Sequence, residues 1–182
     1  MKRNDLPDEL LVISCQRRDE SAFRELVNRW EPRLYYYLRR VIERESRVWD
    51  ALQETWLAVF QNIRRLENPA MFPTWLYRIC HSKAVDLLRK EGRYVQMAEE
   101  PTVGTYEGDL SPSLAKEQAE LVHELLARLK LPHREVLTLR FLEGFSIGEM
   151  AQILGVSEGT VKSRLHYAKN KLQEKLERAN NV

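Results

Sequence analysis

The stretch FSIGEMAQILGVSEGTVKSRLHYAKNKL, from Phe145 to Leu172, predicts two short helices joined by a tight turn. The first helix has the i, i+3, i+4, i+7 spacing of one apolar face at Ile147, Met150, Ala151 and Leu154. Gly155 can adopt the positive φ that ends a helix, and Ser157 can cap the next one. Val156 and Val161 stand at the positions of a hydrophobic staple, which fixes the angle between the helices. Such an arrangement is typical of a helix-turn-helix.

The second helix of this stretch has an apolar face and a basic face. The residues predicted to face the core are Val161, Leu165, Ala168 and Leu172. Those predicted to face outward are Glu158, Thr160, Lys162, Ser163, His166 and much of Tyr167 and Lys169. From Thr160 onward the chain carries six basic and two acidic side chains. An ordinary helical hairpin would explain the glycine but not this basic face, so the pattern favours DNA binding.

The composition limits the class of protein. With 182 residues, 43% hydrophobic and 31% charged, the chain can form one or two soluble domains. It has no run of 18 apolar residues and no apolar leader, so we expect a cytoplasmic protein without membrane insertion. Cys15 and Cys80 lie far apart and outside any ligand pattern, so we expect no disulfide framework, metal site or cofactor. No motif of an enzyme active site is recognisable.

Residues 92–115 predict a flexible linker, because they are rich in glycine and proline and lack apolar periodicity. Their net charge is −3, against +3 for residues 1–91 and +2 for residues 116–182. On both sides of the linker the apolar spacing is helical, and nothing alternates with a period of two. The sequence therefore predicts an all-α chain with helical domains at 1–91 and 116–182.

The residues quoted so far belong to a longer segment that resembles a known family. The segment LPHREVLTLRFLEGFSIGEMAQILGVSEGTVKSRLHYAKNKL resembles region 4 of bacterial sigma factors of the extracytoplasmic-function group. In the N-terminal half, FRELVNRWEPRLYYYLRR resembles the start of region 2 of the same group. DALQETWLAVFQNI resembles the part that binds RNA polymerase, and FPTWLYRICHSKAVDLLRKEGR resembles the part that melts and reads promoter DNA.

The resemblance implies a non-enzymatic initiation factor that binds core RNA polymerase, at the clamp of the largest subunit and the flap of the second largest. It implies recognition of the −35 and −10 promoter elements and melting of the DNA. For control, the alternatives are an anti-sigma factor and phosphorylation by a Ser/Thr kinase. The alternative from another class is a helix-turn-helix activator or repressor that binds duplex DNA without polymerase. The −35 contacts are expected from Glu158, Thr160, Lys162, Ser163, Arg164, His166, Tyr167 and Lys169.

Aromatic and basic side chains interleave between Phe72 and Tyr94, the mixture that stacks unpaired bases and contacts phosphates. The −10 contacts are expected from Trp75, Arg78, His81, Ser82, Lys83, Asp86 and Arg89. Residues 66–74, with two prolines, predict the loop that receives a flipped base in the family. Ser82 and Tyr167 replace the asparagine and arginine common in the family, so the promoter sequence itself is not predicted.

The segment that resembles the polymerase-binding part carries fewer acids than the family pattern. Contacts to polymerase are expected from Trp49, Asp50, Gln53 and Glu54. Arg47 and Trp49 stand in positions that are usually acidic, which would weaken attraction to a basic surface. One hypothesis is that a Ser/Thr kinase restores the charge by phosphorylating Thr55, or secondly Ser46. In the alternative, Trp49 supplies apolar contact area and Thr55 is a packed helix residue.

Overall fold

The computed structural model describes residues 6–92, 126 and 129–180, with side chains up to residue 174, and every regular element in those residues is helical. The chain divides into two compact units, Met1–Val95 and Gln96–Val182. The all-α prediction is confirmed. Apart from Gly92, the predicted linker lies outside the described residues, as does most of the chain from 116 to 128.

The described part of the first unit, residues 6–92, contains four α-helices. They are α1 (Asp8–Gln16), α2 (Glu20–Val41), α3 (Glu45–Asn62) and α4 (Phe72–Lys90), with short 3₁₀ turns at Ile63–Arg65 and Pro69–Met71. The core is drawn from all four, and its largest fully buried side chains include Leu11, Leu26, Leu34, Tyr37, Leu52, Phe72, Leu76 and Tyr77. Since burial of apolar area is the main stabilising term, this shared core fixes α3 and α4 side by side.

The short first helix is anchored to α2 by one acidic side chain. Asp8 accepts from the Arg29 guanidinium at 2.7 Å and from the Trp30 indole Nε1 at 3.1 Å. Charge-assisted bonds of this kind are stronger than neutral ones. Asp19 then caps α2 by accepting from the backbone N–H groups of Ser21 and Ala22.

The loop predicted for residues 66–74 is shorter than expected, and the prediction is wrong at its C-terminal end. A 3₁₀ turn at Pro69–Met71 leads directly into α4, which begins at Phe72. Pro73 lies in the first turn of α4, where its missing N–H leaves no hydrogen bond unmade. Proline there starts a helix rather than interrupting one.

The second unit contains the predicted helix-turn-helix. Helix α5 (Leu131–Leu137) continues into a π-helical segment (Thr138–Leu142), and α6 (Ile147–Leu154) and α7 (Glu158–Asn180) follow. Ser146 and Glu149 form a capping box at the start of α6. Gly155 ends α6 with φ 65°, and the Ser157 hydroxyl accepts from the Thr160 N–H at the start of α7. The glycine turn and the serine cap are confirmed.

Two further properties concern the described residues alone. None of their helices combines the length and apolar character needed to cross a membrane. They hold no group of three or more His, Cys, Asp and Glu side chains arranged to bind a metal ion.

Cys15 and Cys80 are both buried, and burial raises the pKa of the Cys15 thiol to about 11, with the negative charge of Asp19 adding to the effect.

Candidate nucleic-acid and polymerase-binding surfaces

One face of α7 collects half of the residues predicted to contact the −35 element. Spacings of four, four and three residues place side chains on the same side of a helix, and here those positions are Glu158, Lys162, His166 and Lys169. All four are exposed or half-exposed, and His166 Nε2 lies 3.1 Å from the Asn170 amide. This α7 polar face can enter a DNA groove, because it carries two lysines and all four side chains are at least partly exposed.

Ser163 does not belong to that face, and its predicted outward position is wrong. The residue is only 3% exposed, and its hydroxyl has no hydrogen-bond partner within the described residues. A side chain so placed cannot reach a base edge. Thr160 is half-exposed, and its hydroxyl lies 2.9 Å from the Ser157 hydroxyl in the cap of the helix.

Tyr167 contributes to packing within the second unit. Its ring stacks on His133 of α5, with centroids 6.3 Å apart and an angle of 18° between the planes. His133 is buried and Tyr167 half-exposed, so the contact covers this side of α7 with α5. Arg164 is half-exposed on the flank of the helix, and its role at the −35 element stays a prediction.

A groove between α3 and α4 gathers most of the residues predicted to contact the −10 element. Its volume is about 360 Å³. The lining residues are Ala58, Asn62, Arg65, Trp75, Arg78, Ile79, Ser82 and Lys83. We call it the basic groove, because three of these side chains are cationic and none is acidic. A ring beside cations in an open groove is the combination that binds unpaired nucleic acid.

Three other residues predicted for the −10 element lie outside the basic groove. His81 faces α2, where its Nδ1 atom lies 3.2 Å from the hydroxyl of the fully buried Tyr37. Arg89 is exposed near the end of α4, beyond the groove, and Asp86 lines a neighbouring groove. Conversely, Asn62 and Arg65 line the basic groove without having been predicted. Their only sequence signal was the pair of arginines that follows the apolar helix.

The neighbouring groove, of about 290 Å³, is lined by paired charges and also lies between α3 and α4. Arg47 contacts Asp50 at 3.1 Å and Glu91 at 3.0 Å. These carboxylates, Asp50 first, raise the pKa of the Arg47 guanidinium. Lys83 contacts Glu54 at 3.6 Å. We call this surface the charge-paired groove; Arg47, predicted to repel a basic partner, is neutralised in it by two acids of its own chain.

Helix α3 exposes a stripe of large apolar side chains. Trp49, Leu57 and Phe60 are 47%, 52% and 61% exposed. With Gln53 they follow spacings of four, four and three residues, so they share one helix side, which we call the α3 apolar face. Phe60 also packs edge-on against Phe23, with ring centroids 5.3 Å apart. Exposed apolar stripes of this kind mark protein interfaces.

Thr55 is not available for modification in this fold, so its assignment as the first phosphorylation site is wrong. Its side chain is 0% exposed, and its hydroxyl donates to the Ala51 carbonyl at 2.7 Å. The alternative prediction, a packed helix residue, agrees with this burial. Ser46 is exposed in the first turn of α3.

Comparison with known families covers most of the chain. The models for Sigma-70 region 2 and Sigma-70 region 4 match residues 26–94 and 119–172. The chain is 30% identical to the ECF RNA polymerase sigma-E factor of Haemophilus influenzae, over 94% of this chain and 96% of that protein. It is 28% identical to the ECF sigma factor SigW of Bacillus subtilis, over 91% and 94%.

Two solved structures are similar to this chain over most of its length. CnrH, in complex with the cytosolic domain of CnrY, matches with a TM-score of 0.66 and 26% identity, over 93% of this chain and 97% of that chain. The sigma factor RpoE of Bartonella quintana, in complex with the anti-sigma factor NepR, matches with a TM-score of 0.64 and 26% identity, over 85% and 96%. These relatives favour a sigma factor over an independent helix-turn-helix regulator. The chain belongs to the extracytoplasmic-function group of RNA polymerase sigma factors.

Proposed function

We propose that this sigma factor divides its work among three surfaces: the α3 apolar face binds core polymerase, the basic groove holds the unpaired −10 strand, and the α7 polar face reads the −35 element. The observation that carries the proposal is the basic groove, whose lining includes Trp75 and three cations, of which only Lys83 is paired with an acid of the described residues. A sigma factor must hold one strand of an opened promoter, and this surface has the chemistry for it.

At the −35 element, α7 enters the major groove by its N-terminal turns. Lys162 and Lys169 carry the charge that duplex phosphates attract, and His166 adds a donor or acceptor for a base edge. Glu158 can accept from the amino group of a cytosine. Because these side chains share one face, they can contact the same stretch of groove together.

At the −10 element, the basic groove holds the strand after the duplex opens. The Trp75 ring offers a surface for one base, and stacking of this kind contributes roughly 1–3 kcal/mol per base. Arg78 and Lys83 lie on the same helix and contact the phosphates, while Ser82 can hydrogen-bond a base. Holding unpaired bases shifts the equilibrium towards the open promoter, which is how binding energy melts DNA.

Polymerase binding uses apolar contact area more than charge. Trp49, Leu57 and Phe60 keep about half of their surface exposed although Trp49 contacts Tyr35 and Phe60 contacts Phe23. Aromatic side chains dominate interface energetics. Asp50, Gln53 and Glu54 flank or interrupt this stripe and supply its polar rim. The partner of this face is the clamp of the largest subunit, and that of the second unit is the flap of the second largest.

Control by a second protein fits the same surfaces. One of the matching structures shows a sigma factor bound to an anti-sigma factor. An anti-sigma factor that covers the α3 apolar face would keep this chain from polymerase in the cytoplasm. If a kinase acts instead, Ser46 is the accessible acceptor of the two considered.

Reconstituted transcription with core polymerase and a promoter library tests this function directly. The expected result is initiation from a subset of promoters that share a −35 and a −10 element. Binding of duplex DNA with no initiation from any promoter would instead indicate an independent regulator. The recovered promoter then provides the template for the variants described below.

A further inference from the structure

One wall of the basic groove comes from a segment outside the melting helix. Helix α3 ends at Asn62, and the 3₁₀ turn Ile63–Arg65 follows it. Asn62 and Arg65 both line the groove opposite α4, whereas Arg64, in the same turn, is also exposed but lines neither described groove. The two neighbouring arginines therefore stand in different surroundings.

Asn62 holds Arg65 at the groove wall. Its amide nitrogen donates to the Ala58 carbonyl at 2.9 Å, which fixes the orientation of the side chain. Its amide oxygen is then directed to the Arg65 guanidinium, at a long contact of 3.5 Å. This contact places Asn62 where it can orient the Arg65 side chain.

The two guanidinium groups of the groove are not neutralised by acids. Within the described residues, neither Arg65 nor Arg78 contacts a carboxylate, while the third cation, Lys83, is paired with Glu54. Arginine has a planar fork of donors that matches the geometry of a phosphate group. Unpaired arginines on facing walls of one groove form a site for an anion.

We propose that Arg65 is a strand-binding residue, and that Arg65 and Arg78 hold phosphates of the unpaired promoter strand from opposite walls while one base lies on Trp75. At about 360 Å³ the groove lies near the small end of the range for ligand sites, roughly 300–1,000 Å³, which suits one nucleotide at a time. This inference rests on the proposed function, because the ligand is the strand that a sigma factor opens.

The test compares Arg65→Ala with Arg64→Ala, its matched control, in the full-length protein bound to core polymerase. Affinity is measured at several salt concentrations for a promoter with an unpaired −10 segment and for the same promoter fully paired and kept closed at low temperature, where no unpaired strand is present. Arg65→Ala should bind the unpaired template about threefold to tenfold more weakly. The salt slope, which is the steepness with which log affinity falls with log salt concentration, should decrease by about 0.7, the effect of one phosphate contact on single strands. Arg64→Ala should stay within about twofold of wild type, and Arg65→Lys should recover part of the loss.

A variant of Asn62 separates positioning from charge. Asn62→Ala should weaken binding of the unpaired template less than Arg65→Ala and leave the salt slope unchanged, because it removes no cation. Equal behaviour of Arg65→Ala and Arg64→Ala, whether both bind normally or both bind weakly, would overturn the inference. So would an equal loss by Arg65→Ala on the paired and unpaired templates.

A second experiment distinguishes failure of this inference from failure of the proposed function. The protein without polymerase is titrated with a short randomised single-stranded oligonucleotide at low salt, and Arg65→Ala is again compared with Arg64→Ala. If wild-type protein never initiates with core polymerase, the proposed function fails, and this arm alone decides whether the groove binds a strand. Identical oligonucleotide binding by the two variants in that case would reject the groove as a strand site.

Discussion

The Lys83 ammonium group lies 3.6 Å from the Glu54 carboxylate, and this ion pair stands at the boundary between the basic groove and the charge-paired groove. Glu54 belongs to the surface proposed for polymerase, and Lys83 to the surface proposed for the strand. Since Lys83 lines both grooves, a partner that attracts Glu54 would change the surroundings of the cation proposed to bind the strand. In the proposed arrangement, the two binding events would share this contact.

Replacing Glu54 with Gln tests that shared contact. Core polymerase should bind a few-fold more weakly, since a flanking acid is lost, and exposed charges contribute about 1 kcal/mol or less. Binding of the unpaired template at saturating polymerase should be unchanged or slightly tighter, because Lys83 no longer has an internal acid. Lys83→Gln should show the reverse pattern: the affinity for the unpaired template should fall, and the affinity for core polymerase should be unchanged.

The double variant completes this cycle. If the pair couples the two events, the effects of Glu54→Gln and Lys83→Gln on template binding should not add. Simple addition within experimental error would show that the ion pair is a surface contact without influence on DNA binding.

Adjacent positions on α7 should behave in opposite ways. Lys162→Ala should reduce use of a −35-dependent promoter several-fold without lowering the melting temperature, because Lys162 is exposed on the α7 polar face. Ser163→Ala should leave promoter use unchanged. It removes a buried hydroxyl that has no partner, so the free energy of unfolding should stay the same or rise by about 1 kcal/mol or less. A selective change in −35 preference with Ser163→Ala would contradict its assignment to the interior.

The wrong prediction of an outward-facing Ser163 shows what the apolar spacing along a sequence does not report. The apolar spacing of α7 correctly identified Val161, Leu165 and Ala168 as buried, and Ser163 lies on the opposite side. Ser163 is nevertheless buried, and Tyr167, one turn later on the same side, packs against His133 of α5. A helix in contact with neighbours on two sides buries polar positions that a single apolar stripe cannot predict.

Thr55 is a different case, because its own sequence neighbours predict its burial. Ala51, Leu52 and Val59 stand three or four residues from Thr55 and share its side of α3, and all are buried. Arg65, in contrast, could not be predicted from spacing. Its place in the basic groove depends on how the turn after α3 lies against α4, and only the tertiary structure brings those segments together.

Acidic substitutions distinguish the two serine and threonine positions considered for phosphorylation. Thr55→Glu should lower the free energy of unfolding by about 3 kcal/mol or more, because it buries a charge without a partner. Ser46→Glu should change stability by about 0.5 kcal/mol or less, since Ser46 is exposed at the positive end of a helix dipole. Thermal unfolding of both variants checks this. A fully stable Thr55→Glu that binds polymerase more tightly would restore Thr55 as a regulatory site.

The α3 apolar face should account for most of the affinity for core polymerase. Phe60→Ala, which removes the most exposed large apolar side chain in the described residues, should weaken binding about tenfold, as loss of an aromatic interface residue does. Leu10→Ala is the matched control, since Leu10 is also exposed, at 47%, but lies on α1 outside this face. Equal losses by both variants would point to nonspecific apolar contact.

Arg78 and His81 are both predicted to contact the −10 element, but their substitutions should have different effects on closed and pre-opened promoters. Arg78→Ala should impair initiation from a closed promoter several-fold and much less from a pre-opened bubble, because the groove contributes binding energy to strand opening. His81→Ala removes a hydrogen bond to the buried Tyr37 hydroxyl, so it should lower the free energy of unfolding by about 1 kcal/mol. At a temperature where His81→Ala remains folded, its activity on both templates should match wild type. If His81→Ala instead loses closed-promoter activity while keeping wild-type stability, His81 contacts DNA and its place beside Tyr37 is not its main role.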